Sequence, residues 1–198
     1  MSETTASTRR LGRGEGREAL IDAALEILVE GGLKTVTYRS VAMRAGVTHG
    51  LVRYHFRSLD VLVHEAVHKA ANRSIELTSL ESADGGLDGF AAGLAENVRT
   101  EPNQHAMMYE IAMESLRRPE LGVEMRSVYD NYIDTVRGEL ERAGVTRADD
   151  TLARVVFAAL DGLVLQQLIL DRPGAAQEGI ERLRELIRST GTAATQAS

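Results

Sequence analysis

The stretch TYRSVAMRAGVTHGLVRYHF, residues 37–56, decides the fold. Thr37 is suited to cap a short helix over 38–45, because its hydroxyl can accept one of the first unsatisfied backbone N–H groups. Gly46 then permits the left-handed backbone of a sharp turn. Thr48 can cap a second short helix that reaches about Tyr54. Val41, Ala45, Val47 and Val52 supply a small core, and Ala42 is small where the two helices would cross. Two short helices joined by a tight glycine turn form a helix-turn-helix. Its second helix presents Thr48, His49, Gly50 and Arg53 outward. Base edges in a major groove are read from the N-terminal residues of such a helix. Gly50 leaves room for close approach, and Arg53 can fork onto a guanine or a phosphate.

Outward from this stretch, periodicity predicts helices and little else. Leu20, Ala24, Ile27 and Leu28 lie at i, i+4, i+7 and i+8, one stripe of a helix over 17–30 that Gly31 and Gly32 end. Ser58 can cap a helix of about two dozen residues. The Asp84-Gly85-Gly86 break and the three prolines then divide the remainder into helices over 87–100, 103–117, 119–143, 149–171 and 176–189. The chain is expected to be all-α, with about nine helices. A three-helix DNA-binding domain at 17–57 is followed by a larger effector and dimerisation domain at 58–189. The polar, Arg/Gly-rich segment 1–16 is expected to be a flexible basic arm with no secretory signal, and 190–198 a disordered tail.

Composition excludes several classes. The 198 residues contain no Cys and no Trp, so disulfides, thiolate metal sites and a cysteine nucleophile are ruled out. The net charge of -6 is unevenly spread: residues 1–57 carry nine Arg/Lys against six Asp/Glu, and residues 58–198 fourteen against twenty-three. A basic quarter on an acidic body suits an anion-binding module attached to something else. Residues 152–170 hold fourteen apolar residues of nineteen, almost a membrane span in length. Asp161 would then sit at the bilayer centre at high cost, so the expected role is a helix buried on both sides, with no membrane partner.

Residues 17–70 resemble the DNA-binding region of the TetR (tetracycline-repressor-like) family of bacterial transcription regulators. The resemblance is carried by Ala23 to Leu28, Gly31-Gly32, Thr37, Val41-Ala42, Ala45-Gly46-Val47, His55-Phe56, Ser58 and Leu62. It implies a cytoplasmic, ligand-responsive repressor, not an enzyme, that binds an inverted-repeat operator in double-stranded DNA as a homodimer. Release by a small, largely apolar effector is also implied, with no further cofactor. Thr37, Tyr54 and His55 would touch phosphates, and Thr48, His49, Gly50 and Arg53 base edges. Two positions depart from the family pattern. Arg53 stands where an aromatic is usual, and Leu59 where a lysine is usual; Arg57 can restore that charge. Phe56 is expected to be core.

The resemblance also implies an effector pocket. Its expected lining is Phe90, Leu94, Met107, Met108, Ile111, Met113, Tyr129, Tyr132 and Leu168, with Glu110, Glu114 and Asp161 as possible partners of a cationic ligand. The dimer is expected to use two apolar helices from each chain. Its residues would be Val156, Leu160, Leu163, Gln167, Ile180, Leu183 and Ile187. Two alternatives compete. His64-Glu65-Ala66-Val67-His68 matches the H-E-x-x-H pattern of zinc proteases, but no third ligand is evident and no metal site is expected. An architectural DNA-binding protein without an effector is the other.

Overall fold

In a computed structural model the protein is described over residues 15–77, 80–170, 172 and 174–193. These residues form nine α-helices and no strand: α1 Glu15–Gly31, α2 Tyr38–Arg44, α3 His49–His55, α4 Leu59–Leu77, α5 Leu94–Thr100, α6 Pro102–Ser115, α7 Pro119–Arg142, α8 Asp150–Leu170 and α9 Ala175–Ala193. A single 3₁₀ turn, Leu33–Thr35, joins α1 to α2. The expected basic arm, apart from its last two residues, and the end of the tail, 194–198, lie outside the described residues.

The chain divides into two compact units. The first takes the described residues through Ala71 together with Met107–Glu124, and the second Asn72–Ala106 together with residues from Met125 onward. The first unit thus runs past residue 57 and takes in most of α4. Leu62, Val63, Ala66 and Val67 of α4 are buried in the first unit, and Arg17–Glu65 and Lys69–Asp22 ion pairs tie α4 to α1. The expected α1 stripe is its core: Leu20, Ala24 and Leu28 are fully buried, with Phe56 at 1% exposure. Burying Phe56 alone is worth about 2–3 kcal/mol.

One expected helix is shorter than its sequence reading. Helix α5 begins at Leu94 rather than near residue 87, and 82–93 is a chain of turns. Gly85, Gly86, Gly89 and Gly93 fall within nine residues, each about 1 kcal/mol worse than Ala in a helix. Ala91 even adopts a left-handed φ of 55°. Glu139, 2% exposed, compensates part of this irregular backbone: its carboxylate accepts the Ser82 N–H at 3.2 Å. In the same unit Arg184 of α9 donates through Nε and Nη2 to the Phe90 carbonyl, at 2.8 and 2.6 Å. α9 continues as a helix to Ala193, past the predicted end at 189.

Candidate nucleic-acid interface

The α2–turn–α3 geometry follows from a few backbone bonds. Thr37 Oγ1 accepts the Ser40 N–H at 3.0 Å, and Ser40 Oγ accepts the Thr37 N–H at 2.9 Å, a reciprocal capping box. The Thr37 hydroxyl is thereby engaged in its own helix. At the other end Gly46 has φ 66°, and the Val47 N–H reaches back to the Ala42 carbonyl at 2.9 Å. That six-residue closure is the glycine-terminated helix end expected from sequence. It aims α3 away from α2, while Val41 and Val52, both fully buried, lock the two together.

Helix α3 therefore shows one face to its unit and one to solvent. Thr48, His49, Gly50, Arg53 and Tyr54 are exposed, Tyr54 at 66%. Thr48 occupies the N-cap position without using its hydroxyl as a cap. Arg53 lies over the Tyr38 ring, 5.2 Å from its centroid, and the same ring meets His49 edge-on at 5.5 Å. Tyr38 thus holds two base-edge candidates in place. Sequence reading passed over it, although an aromatic at the first position of α2 was the available signal. Arg57 is exposed and His55 half-buried, its ring edge-on to Tyr54 at 5.2 Å. Phe56 is core, as expected. Arg44 is occupied: it pairs with Glu26 at 3.1 Å and with Glu30, and the Glu30 bond draws the arginine pKa up and the glutamate pKa down.

A second carboxylate shapes this unit. Glu110 of α6 lies against Gly32, where a Cβ would fall 2.2 Å from Glu110 Oε2. The same side chain accepts the Leu33 N–H at 3.2 Å, and Gly32 needs its φ of 76°. Sequence reading had offered Glu110 to a ligand; here it fastens the turn that leads into α2. His64 and His68 of α4 close on Glu124 of α7, His64 Nε2 at 3.5 Å from one oxygen and His68 hydrogen-bonded to the other. Glu65, which a protease would need as its base, pairs with Arg17. No three His, Asp or Glu side chains among the described residues are arranged to hold a metal ion.

Two family models match the chain. "Bacterial regulatory proteins, tetR family" covers residues 20–66, and "Tetracyclin repressor-like, C-terminal domain" covers 85–192, more than half of the chain. The chain belongs to the TetR family. Among curated relatives it is similar to the HTH-type transcriptional regulator BetI of Escherichia coli K12, 29% identical over 170 residues that span 79% of this chain and 84% of BetI. Among solved structures it is similar to a TetR-family member, SCO1917 of Streptomyces coelicolor A3, at 30% identity and TM-score 0.66 over 87% of this chain and 98% of that one. It is also similar to the multidrug binding protein EbrR in complex with proflavin, at 28% identity and TM-score 0.66 over 87% and 99%.

As a TetR-family member the protein is a ligand-responsive, DNA-binding transcriptional repressor, and neither the protease nor the architectural reading is supported. Regulators of this family are soluble, bind DNA and small-molecule effectors, and act as dimers. Helix α8 is nonetheless long and apolar enough, by length and composition alone, to cross a membrane.

The residues expected at the pocket fall in different surroundings. Phe90 and Leu94 are closed into the core of the second unit, and Met107 and Ile111 into the first. Met108 is half-buried. Met113 is 59% exposed, two residues past Ile111 on the opposite face of α6. Tyr129, Tyr132 and Leu168 are half-buried in the second unit. Phe157, overlooked in sequence, binds the two tyrosines together: Tyr129 meets it edge-on and Tyr132 stacks on it, both at 5.5 Å.

The expected dimer residues fall in mixed surroundings within one protomer. Val156, Leu160, Ile180 and Ile187 are at most 3% exposed within one protomer, so they are its own core. Leu163 packs onto Gly179, where a Cβ would fall 2.5 Å from its Cδ2. Leu183 is half-buried, and Gln167 donates to the Ala95 carbonyl at 2.8 Å. The open face of α8 carries Val155, Ala158, Leu165 and Ile169, all exposed, with half-buried Gly162 among them, and Leu186 of α9 is also exposed. A helix apolar all round does not reveal in its sequence which stripe faces inward.

Proposed function

We propose that this repressor binds an inverted-repeat operator as a cytoplasmic homodimer and leaves it when a small, largely apolar effector binds. Thr48 at the N-cap of α3, with His49 and Arg53, reads base edges, Gly50 lets the backbone approach the duplex closely, and Thr37, Tyr54, His55 and Arg57 flank them toward phosphates. The observation that carries this reading is the solvent face of α3. Thr48, His49, Gly50, Arg53 and Tyr54 are exposed, the N-cap hydroxyl makes no capping bond, and Tyr38 orients both His49 and Arg53. A helix that merely packed would not hold an arginine on a ring at its open face.

Dimerisation is assigned to α8. Val155, Ala158, Gly162, Leu165 and Ile169 are spaced by three, four, three and four residues, the seam of a coiled-coil-like contact. A Cβ on Gly162 would meet nothing within the protomer, so a partner helix can approach closely there. EbrR is described in complexes with proflavin, ethidium and malachite green, and the first two of these complexes are 28% identical to this chain. These aromatic ligands support an aromatic effector here. Selection of bound duplexes from random DNA tests the proposal. An inverted repeat with strong salt dependence is expected. Recovery of no common sequence would refute it.

A further inference from the structure

The arginines and lysines of the first unit are of two kinds. Arg17, Arg44, Lys69, Arg117 and Arg118 are each paired with a carboxylate. Lys34, Arg39, Arg53 and Arg57 have no carboxylate partner among the described residues, and all of them lie within 34–57. Arg53 differs from the others. Its guanidinium lies over the Tyr38 ring, 5.2 Å from the centroid, and its N–H groups donate to nothing among the described residues. A contact through the ring face leaves those in-plane donors directed outward. The same ring meets His49 edge-on at 5.5 Å, one helical turn earlier. Tyr38 therefore fixes the fork beside the first turn of α3, where such a helix reads base edges.

A phosphate requires only a nearby positive charge, which Lys34, Arg39 and Arg57 supply without being held. A guanidinium fixed in plane suits a pair of adjacent acceptors instead. In the major groove guanine shows such a pair, O6 and N7. Adenine and cytosine present an amino donor there, and thymine a single acceptor beside its methyl group. An aromatic side chain, usual at position 53 in the family, has no fork, so this reading belongs to the present chain. Resting on the operator reading above, we propose that Arg53 reads a guanine in each operator half-site through its O6 and N7, and that Tyr38 is the residue that positions it.

Fluorescence anisotropy with the full-length protein and the duplex selected from random DNA tests this. The selected duplex should carry one guanine per half-site whose exchange for adenine in both halves weakens the wild type about tenfold or more. Substitution by 7-deazaguanine, which lacks the N7 acceptor, should give part of that loss. Arg53→Ala should bind the guanine and adenine duplexes within about twofold of each other, and Arg53→Lys, which keeps the charge without the fork, should do the same. Tyr38→Leu should weaken the guanine duplex about two- to fivefold and leave the adenine duplex unchanged, and Tyr38→Phe should bind like wild type. Thermal melting verifies that each variant is folded. If Arg53→Ala weakens both duplexes equally and lowers the salt slope by about two per dimer, Arg53 sits on a phosphate and the proposal is overturned. A Tyr38→Leu loss that is equal on both duplexes overturns the positioning role. A common inverted repeat with no Arg53-dependent guanine refutes the guanine assignment alone; no common sequence at all refutes the operator reading on which it rests.

Discussion

Ile169→Ala separates the open face of α8 from its buried face. Ile169 is 67% exposed in the protomer, so truncating it removes three carbons that the protomer's own core scarcely uses. At about 0.8 kcal/mol per buried carbon, and with two-thirds of the side chain available to a partner, the loss is about 1.6 kcal/mol per protomer. A two-fold interface counts every residue twice, giving about 3 kcal/mol per dimer, or on the order of a hundredfold in the dissociation constant. Sedimentation equilibrium over nanomolar to micromolar protein measures it. Val156→Ala is the control. That side chain is 1% exposed, so its loss should lower the melting temperature of the protein without a selective effect on association. If Ile169→Ala dimerises within threefold of wild type, or if the wild type is monomeric at micromolar concentration, the assignment of this face is wrong.

Three further outcomes follow from the geometry. Arg53→Ala should cost about 1–3 kcal/mol on the selected operator and relax preference at one base pair; Tyr38→Leu, which removes only the supporting ring, should cost about 0.5–1 kcal/mol in the same anisotropy titration. Gly32→Ala should destabilise more than Gly46→Ala. Both force a left-handed residue at about 1–2 kcal/mol, but only at Gly32 does the new methyl displace a carboxylate, whereas at Gly46 it meets nothing within 4 Å; equal urea midpoints would refute this. Burial lowers the His105 pKa below 6.5, and its Nε2 meets Asn97 Oδ1 at 2.7 Å. A depressed histidine pKa means that the unfolded chain binds the proton first. Its contribution is therefore complete above the unfolded pKa and is lost as pH falls through the folded one. Between pH 7.5 and 5.5 the wild type should lose stability, and His105→Gln should lose less.

What could be read from sequence tracks how local its causes are. The helix-turn-helix is specified within twenty residues: Thr37 meets Ser40 three positions on, and Gly46 bends the chain by its own φ. Such features survive any tertiary arrangement, so the α2 and α3 boundaries and the exposed face of α3 were legible. The 87–93 part of the expected 87–100 helix failed because its apolar residues suggested a helix while Gly89 and Gly93 opposed one, and propensity prevailed. Non-local roles were the least legible. Glu110 bonds a backbone group 77 positions away, and His68 a carboxylate 56 away. No spacing rule connects such partners, and this is why His64 and His68 resembled metal ligands until Glu124 was seen between them.

The division of the chain gives those distant carboxylates their meaning. Helices α4, α6 and α7 each begin in one compact unit and end in the other, as uninterrupted backbone. Within the first unit, α6 is fastened to the Gly32–Leu33 turn by Glu110, and α7 to α4 by Glu124. A helix resists axial and bending displacement far better than a loop, because its backbone bonds must break before it yields. Inside the first unit, Glu124 fixes the start of α7 against α4. Glu110 likewise fixes α6 at the turn that precedes α2, whose Tyr38 holds His49 and Arg53. Glu110 makes one such bond and Glu124 two contacts, at part-exposed sites where a charged hydrogen bond is worth about 1–3 kcal/mol. Neither carboxylate is thus spare for a ligand: each holds together elements that are far apart in sequence within the first unit.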